Sequence, residues 1–144
     1  MTIWLDMDGT MADLYGVDGW LPMLVAHDET PYAVAKPLVR MATLARLLNN
    51  RQREGWRVAV VSALAKNSNA EYDERVKLAK LNWLAKHLPS VQWAEIKIVA
   101  YGTNKRETCG DGILFDDEER NRNEWGEGAY TPDEIIHVLS SLLA

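Results

Sequence analysis

The chain carries one cysteine in 144 residues, and that scarcity closes several routes at once. Cys109 alone permits no internal disulfide and no multi-cysteine zinc site. A thiol nucleophile would need a histidine beside it, yet His27, His87 and His137 fall in three unrelated segments. Cys109 is therefore expected to be a plain loop or core thiol. Long hydrophobic runs are missing too. The apolar stretches are strand-sized, which leaves no case for a membrane span. No basic stretch with a long apolar segment behind it precedes the first strand, so no signal peptide is expected and the cytoplasm is the expected compartment. Positive charge is in deficit: 16 Lys and Arg face 21 Asp and Glu, for a formal net charge of -5. That balance argues against a broad nucleic-acid surface. What remains is ordinary for a globular protein, with 47% hydrophobic and 26% charged residues. A chain of this length fits a single domain over residues 1–144, burying roughly two thirds of its unfolded surface.

Strand-like and helix-like stretches alternate. Ile3-Trp4-Leu5 reads as a first strand. An irregular segment follows, from Met11 to Lys36, bearing Gly16, Gly19, Pro22, Pro31 and several aromatics. Pro37 is expected to open a helix with Leu38, Met41, Ala45 and Leu48 at helical spacing, and Gly55 to stop it. Trp56 to Val61 reads as a strand buried on both faces. Ser68 or Asn69 can cap a long helix whose inward stripe is Tyr72, Val76, Ala79 and Trp83, ending before Pro89. Glu95–Ala100 and Gly112–Phe115 supply a third and a fourth strand. Thr131, Pro132 and Glu134 form a capping box, after which Ile135, Val138, Leu139 and Leu142 make an inward face. This alternation predicts an α/β domain with a mostly parallel sheet.

Ligands of such sheets bind at the carboxyl ends of the strands, where the strand order reverses. The residues just past the four expected strands are Asp6 and Asp8, then Ser62, then Gly102 to Lys105, then Asp116 and Asp117. Two acids one residue apart at the edge of a core repel each other unless a cation keeps both ionised. Asp6, Asp8, Asp116 and Asp117 offer hard oxygen ligands, which suit Mg2+. A phosphate entering so acidic a rim needs cations and donors, and the Ser62 hydroxyl and Lys105 supply them. Lys66 competes for that place. Lys105 is preferred because it follows its own strand by a short loop and precedes the acidic pair. Glu118 and Glu119 read as solvent-facing charge rather than further ligands.

Asp6-Met7-Asp8-Gly9-Thr10, with Ser62, Lys105 and Asp116-Asp117 in that order, resembles the haloacid dehalogenase superfamily of phosphotransferases over most of the chain. The resemblance implies a Rossmann-like three-layer sandwich and a phosphomonoesterase that works through an aspartyl-phosphate. By it, Asp6 is the nucleophile, and Asp8 protonates the leaving oxygen and later activates water. Ser62 with its neighbour Ala63, Lys105 and Thr10 form the phosphate side, Thr10 also ordering the loop. The acidic pair completes the Mg2+ site with Asp6 and the main-chain carbonyl of Asp8. The continuation Thr10-Met11-Ala12-Asp13, and Asn121 or Asn123 with Trp125 after the acidic pair, are similar to the deoxyribonucleotidase-like, phage-type nucleotidase branch. Members of that branch usually carry a helical cap, for which this chain offers only residues 13–36, so a minimal or absent cap is expected.

The implied substrate is a nucleoside monophosphate or another small phosphate ester. A polynucleotide-end phosphatase is the macromolecular variant, and a second subunit could complete an open pocket. Tyr15, Trp20, Tyr32 and Trp125 are candidates to stack on a base, or to pack the short insertion onto the domain. Trp4, Trp56, Trp83 and Trp93 are assigned to the core or its edges. Two readings from other classes compete. A phospho-signalling receiver would carry its acceptor aspartate after the middle strand, whereas here the second and third strands end at Ser62 and Gly102. A non-catalytic binding protein would retain the fold without the full set of site residues present here.

Overall fold

The computed structural model describes residues 1–142. Its elements run β1 (Thr2–Leu5), β2 (Ala12–Asp13), α1 (Trp20–Val25), α2 (Thr30–Val34), β3 (Lys36–Pro37), α3 (Met41–Arg53), β4 (Arg57–Ala63) and α4 (Ala70–His87). They continue with β5 (Glu95–Val99), α5 (Lys105–Cys109), β6 (Ile113–Phe115), α6 (Glu119–Trp125), β7 (Ala129–Tyr130) and α7 (Ile135–Ser141). Five strands form one parallel sheet in the order β5-β4-β1-β6-β7. The chain thus builds outward from β1 through β4 to β5, then returns to the other side of β1 for β6 and β7. The connections reverse direction between β1 and β6, which opens a crevice at their carboxyl ends.

Side chains on successive strand residues point to opposite faces, and the core splits accordingly. Ile3, Leu5, Val58, Val60, Ile113 and Phe115 face a large layer closed by Leu44, Leu47 and Leu48 of α3, Trp83 and Leu84 of α4, and Ile135 and Leu139 of α7. Trp4, Ala59, Val61 and Leu114 face the other way, toward Trp125 of α6. Both faces of β1 and β4 are therefore dry, which is why these strands read as nearly unbroken apolar runs.

Local chemistry fixes the helix ends. Asn69 caps α4, its Oδ1 accepting from the Tyr72 N–H at 2.8 Å, while Glu71 and Asp73 in the first turn and Lys86 in the last complement the helix dipole. The expected stripe of Tyr72, Val76, Ala79 and Trp83 is buried. Thr131 and Glu134 make the expected capping box. It opens a 3-10 turn, Pro132–Glu134, from which α7 continues.

Three expectations need correction. Pro37 does not open a helix. It pairs with Ala12 in the antiparallel β2–β3 hairpin, so α3 starts at Met41, its buried residues are Leu44, Leu47 and Leu48, and Leu38 is exposed. Second, the segment between β2 and β3 is not wholly irregular, since it carries α1 and α2. Third, there is a fifth parallel strand, β7, held by Leu114 N–H to Gly128 O at 2.9 Å and Asp116 N–H to Tyr130 O at 3.1 Å. Two residues between Gly128 and Thr131 present no alternating run for the eye to find. Among the described residues no helix is long and apolar enough to cross a membrane.

Candidate active site

The site gathers where β1 and β6 end. Asp6 follows β1 directly, and its own N–H still belongs to the sheet, donating to Phe115 O at 3.0 Å. Asp116 follows β6 in the same way. Neighbouring strands lie about 4.8 Å apart, so the two carboxylates emerge side by side. Asp117 joins them, and one oxygen from each of Asp6, Asp116 and Asp117 lies within 4.8 Å of the others.

Lys105 answers this charge. At the first position of α5 and 2% exposed, its ammonium reaches Asp6 Oδ1 at 3.0 Å and Asp116 Oδ2 at 2.6 Å. Burial by itself pulls the Lys105 pKa down, but the two carboxylates more than reverse that pull and the net direction is upward. Thr10 serves the other Asp6 oxygen, donating to Oδ2 at 3.1 Å while its own oxygen accepts from Asp117 N–H at 3.2 Å. The hydroxyl hydrogen is thereby committed to Asp6, and Thr10 ties the β1 loop to the β6 loop. Asp116 is fully engaged: Oδ2 also accepts from Asn121 Nδ2 at 3.1 Å and Oδ1 from Glu118 N–H at 2.9 Å.

Asp117 is not. Its Oδ1 is buried without a hydrogen-bond partner, which is costly unless something else meets it. Burial first, then the charge of Asp6 and of Asp116, push its carboxyl up to about 8. Burial and the charge of Asp6 push Asp116 upward as well. A hard divalent cation fits this set: three carboxylates converging, one with an orphaned oxygen, and two of them pushed toward protonation by burial and mutual repulsion. Asp6, Asp116 and Asp117 are the residues that would hold Mg2+. Gly9 completes the cradle. It takes φ +78°, and a Cβ there would collide with the Asp117 carboxylate.

Asp8 lies apart from the three. Its Oδ2 accepts from Lys80 Nζ at 2.9 Å, and the same ammonium donates to Ser62 Oγ at 2.6 Å and to Ala63 O at 2.7 Å. The sequence reading assigns no role to Lys80. The available signal was its place beside Ala79, between Val76 and Trp83, in a stripe otherwise built of buried apolar residues.

A cavity of about 420 Å³ opens over Asp6, Asp8 and Lys105. One wall is the insertion, with Leu14, Tyr15, Trp20, Leu24 and Tyr32; the opposite side carries Leu64, Lys66 and Tyr101. Tyr15 and Trp20 meet edge to face, their centroids 4.9 Å apart. Burial and then the carboxylates of Asp117, Asp8 and Asp6 raise the Tyr15 phenol, so it stays protonated at any ordinary pH. Tyr32, raised by burial and by Asp8, does likewise. The insertion is fastened to α4: Arg75 Nη2 donates to His27 O at 3.0 Å and Tyr72 Oη to Asp28 O at 3.2 Å. The His27 ring meets Asn67 O at 2.9 Å and Asn69 Nδ2 at 3.1 Å.

The strand-end residues thus come together at one rim, as do Tyr15, Trp20 and Tyr32. Trp125 does not. It is 3% exposed on the far side of the sheet, its Nε1 donating to Gly112 O at 3.1 Å, and it cannot touch anything in the cavity. Lys66 is exposed at the mouth, its ammonium 5.8 Å from the centroid of the Tyr101 ring. Asn121 is buried on Asp116, whereas Asn123 is exposed. Glu118 and Glu119 face solvent. Cys109 packs behind Trp4, and burial pushes its thiol up to about 11, far from thiolate chemistry.

No protein-family model matches the chain, and no curated protein matches it. Among solved structures it is similar to the D,D-heptose 1,7-bisphosphate phosphatase from Burkholderia thailandensis, with a TM-score of 0.55, 12% identity and 96% of each chain covered. At that identity the likeness concerns the path of the chain alone: an α/β sandwich on a five-stranded parallel sheet, without a large cap.

Proposed function

We propose that this protein is a Mg2+-dependent phosphomonoesterase that works through an aspartyl-phosphate on Asp6, acting on nucleoside monophosphates or another small phosphate ester. One observation carries the reading. Asp6 stands at the end of the central strand and at the floor of the cavity, one oxygen held by Lys105 and the other by Thr10, beside the orphaned carboxylate oxygen of Asp117. The solved structure of the same fold is itself named a phosphatase, which supports the reaction class.

Phosphate-monoester hydrolysis is among the slowest uncatalysed reactions, and splitting it into two transfers lowers each barrier. In the first, an Asp6 oxygen attacks phosphorus, the P–O ester bond breaks, and the departing oxygen takes a proton from Asp8. In the second, Asp8 removes a proton from water, the resulting hydroxide attacks phosphorus, and the P–O bond to Asp6 breaks to give inorganic phosphate and the original carboxylate. Lys80 occupies Oδ2 of Asp8, so Oδ1 is the oxygen that exchanges the proton. Bound Mg2+ would offset charge on the phosphoryl oxygens. Lys105 holds and orients Asp6, while Ser62 and Ala63, at the end of β4, would bind the phosphate.

The cavity supports a flat, partly apolar leaving group. Trp20 and Tyr15 with Leu14 and Leu24 offer an aromatic and aliphatic wall, suited to a nucleobase or a comparable ring. The test is hydrolysis of p-nitrophenyl phosphate with Mg2+ and with EDTA, by the native protein and by Asp6→Asn. Loss of activity in both cases is expected, and activity indifferent to both changes rules the reading out. A panel of nucleotides, sugar phosphates and end-phosphorylated oligonucleotides then ranks substrates.

A further inference from the structure

We propose that Lys80 is a positioning residue of the phosphate site: its ammonium turns the Ser62 hydroxyl into a donor aimed at the bound phosphate. This inference rests on the phosphatase reading above.

An ammonium has three hydrogens to donate and no lone pair to accept with. Lys80 spends all three within the site, on Asp8 Oδ2 at 2.9 Å, Ser62 Oγ at 2.6 Å and Ala63 O at 2.7 Å. The side chain is 1% exposed, so water does not compete for these bonds, and the Tyr32 ring closes over it with its centroid 5.1 Å from Nζ. The consequence falls on Ser62. A serine hydroxyl ordinarily rotates to suit its surroundings, as donor or acceptor. With a lone pair of Oγ held by Lys80, its hydrogen must point away from the ammonium. Ser62 is the next-to-last residue of β4, fully buried, and Ala63 after it lines the cavity. Phosphate oxygens there are acceptors in need of such a hydrogen.

The two buried lysines divide the work. Lys105 serves the acidic pair formed by Asp6 and Asp116. Lys80 joins instead the two residues at the opposite flank, Asp8 from the loop after β1 and Ser62 from β4. A methionine would fill its place on α4 without desolvating a charge, so its packing alone does not account for it.

The test is a double-mutant cycle on native protein, Ser62→Ala, Lys80→Met and the double variant, read as affinity for inorganic phosphate by calorimetry in the presence of Mg2+, with melting temperature recorded alongside. By analogy with other outer-layer partners, Lys80→Met should weaken phosphate about tenfold in the native background. In the Ser62→Ala background the same substitution should cost less than about threefold, because the hydroxyl it orients is gone. An equal penalty in both backgrounds, as a general charge effect gives, overturns the proposal. So does a lowered melting temperature with unchanged phosphate affinity. Should Lys80→Met fail to fold, Lys80→Gln runs the same cycle. A native protein that neither hydrolyses p-nitrophenyl phosphate nor binds phosphate defeats the underlying phosphatase reading, whereas native turnover with an additive cycle defeats this inference alone.

Discussion

Gly9 approaches the carboxylate of Asp117 so closely that one added methyl group would run into it, and its φ of +78° is one that side chains resist. The residue between Asp8 and Thr10 thus has no room to vary while Asp117 keeps its place. Gly9→Ala is expected to cost about 1–2 kcal/mol of stability through backbone strain. Displacing Asp117 should also weaken Mg2+ activation roughly tenfold to a hundredfold. A Mg2+ titration of activity checks this, and an alanine variant with a native activation curve contradicts it.

The raised carboxyl of Asp117 sets a pH dependence in the metal-free protein. Its folded value of about 8 stands above the ordinary carboxylate value of 3.8, so between those limits the unfolded chain has released a proton that the folded chain still holds. Stability must fall as pH rises through that window. Melting curves in EDTA should therefore drop from pH 5 to pH 8. Added Mg2+ should raise the melting temperature more at pH 8 than at pH 5, since the proton it must displace is then held by only part of the population. A Mg2+ increment that is equal at both values, or larger at pH 5, contradicts the assignment.

Two tryptophans separate specificity from stability. Trp20 lines the cavity, whereas Trp125 is buried behind the sheet. Trp20→Ala should raise KM for nucleoside monophosphates about tenfold, in keeping with ~1–3 kcal/mol for base stacking, while altering kcat little. Trp125→Ala should leave KM alone and cost about 3–5 kcal/mol of stability. Steady-state kinetics beside denaturant melts distinguish them, and the reverse pattern would place the substrate elsewhere.

Cys109 should be chemically quiet. With its thiol pushed up to about 11 by burial, labelling by a thiol reagent at pH 8 should be far slower in folded than in unfolded protein. Cys109→Ala should retain kcat within about twofold. A large loss of activity would show that the thiol has a use not apparent from its packing.

Much of this site could be read from strand ends. Asp6, Asp8, Ser62, Lys105, Asp116 and Asp117 all sit where apolar runs stop, and a parallel sheet necessarily brings such stops to one edge. What escaped was set by contacts distant in sequence. Lys80 meets Asp8 across 72 positions of chain, and nothing local distinguishes it from the other lysines of α4 except its place in an apolar stripe. Pro37 looked like a helix opener because proline suits a first turn, yet tertiary pairing with Ala12 won. Trp125 lies close in sequence to Asp116, but α6 turns it to the opposite face of the sheet. Strand β7 is too short to show any period.

The β2–β3 pairing, Ala12 with Pro37 and Asp13 with Lys36, holds both ends of the intervening stretch at a single point on the rim. Because its entry and exit are already stitched together, that stretch behaves as a cassette. Any replacement grafted between the same two stitches would have to keep Tyr32, whose ring closes over the Lys80 ammonium that holds Asp8.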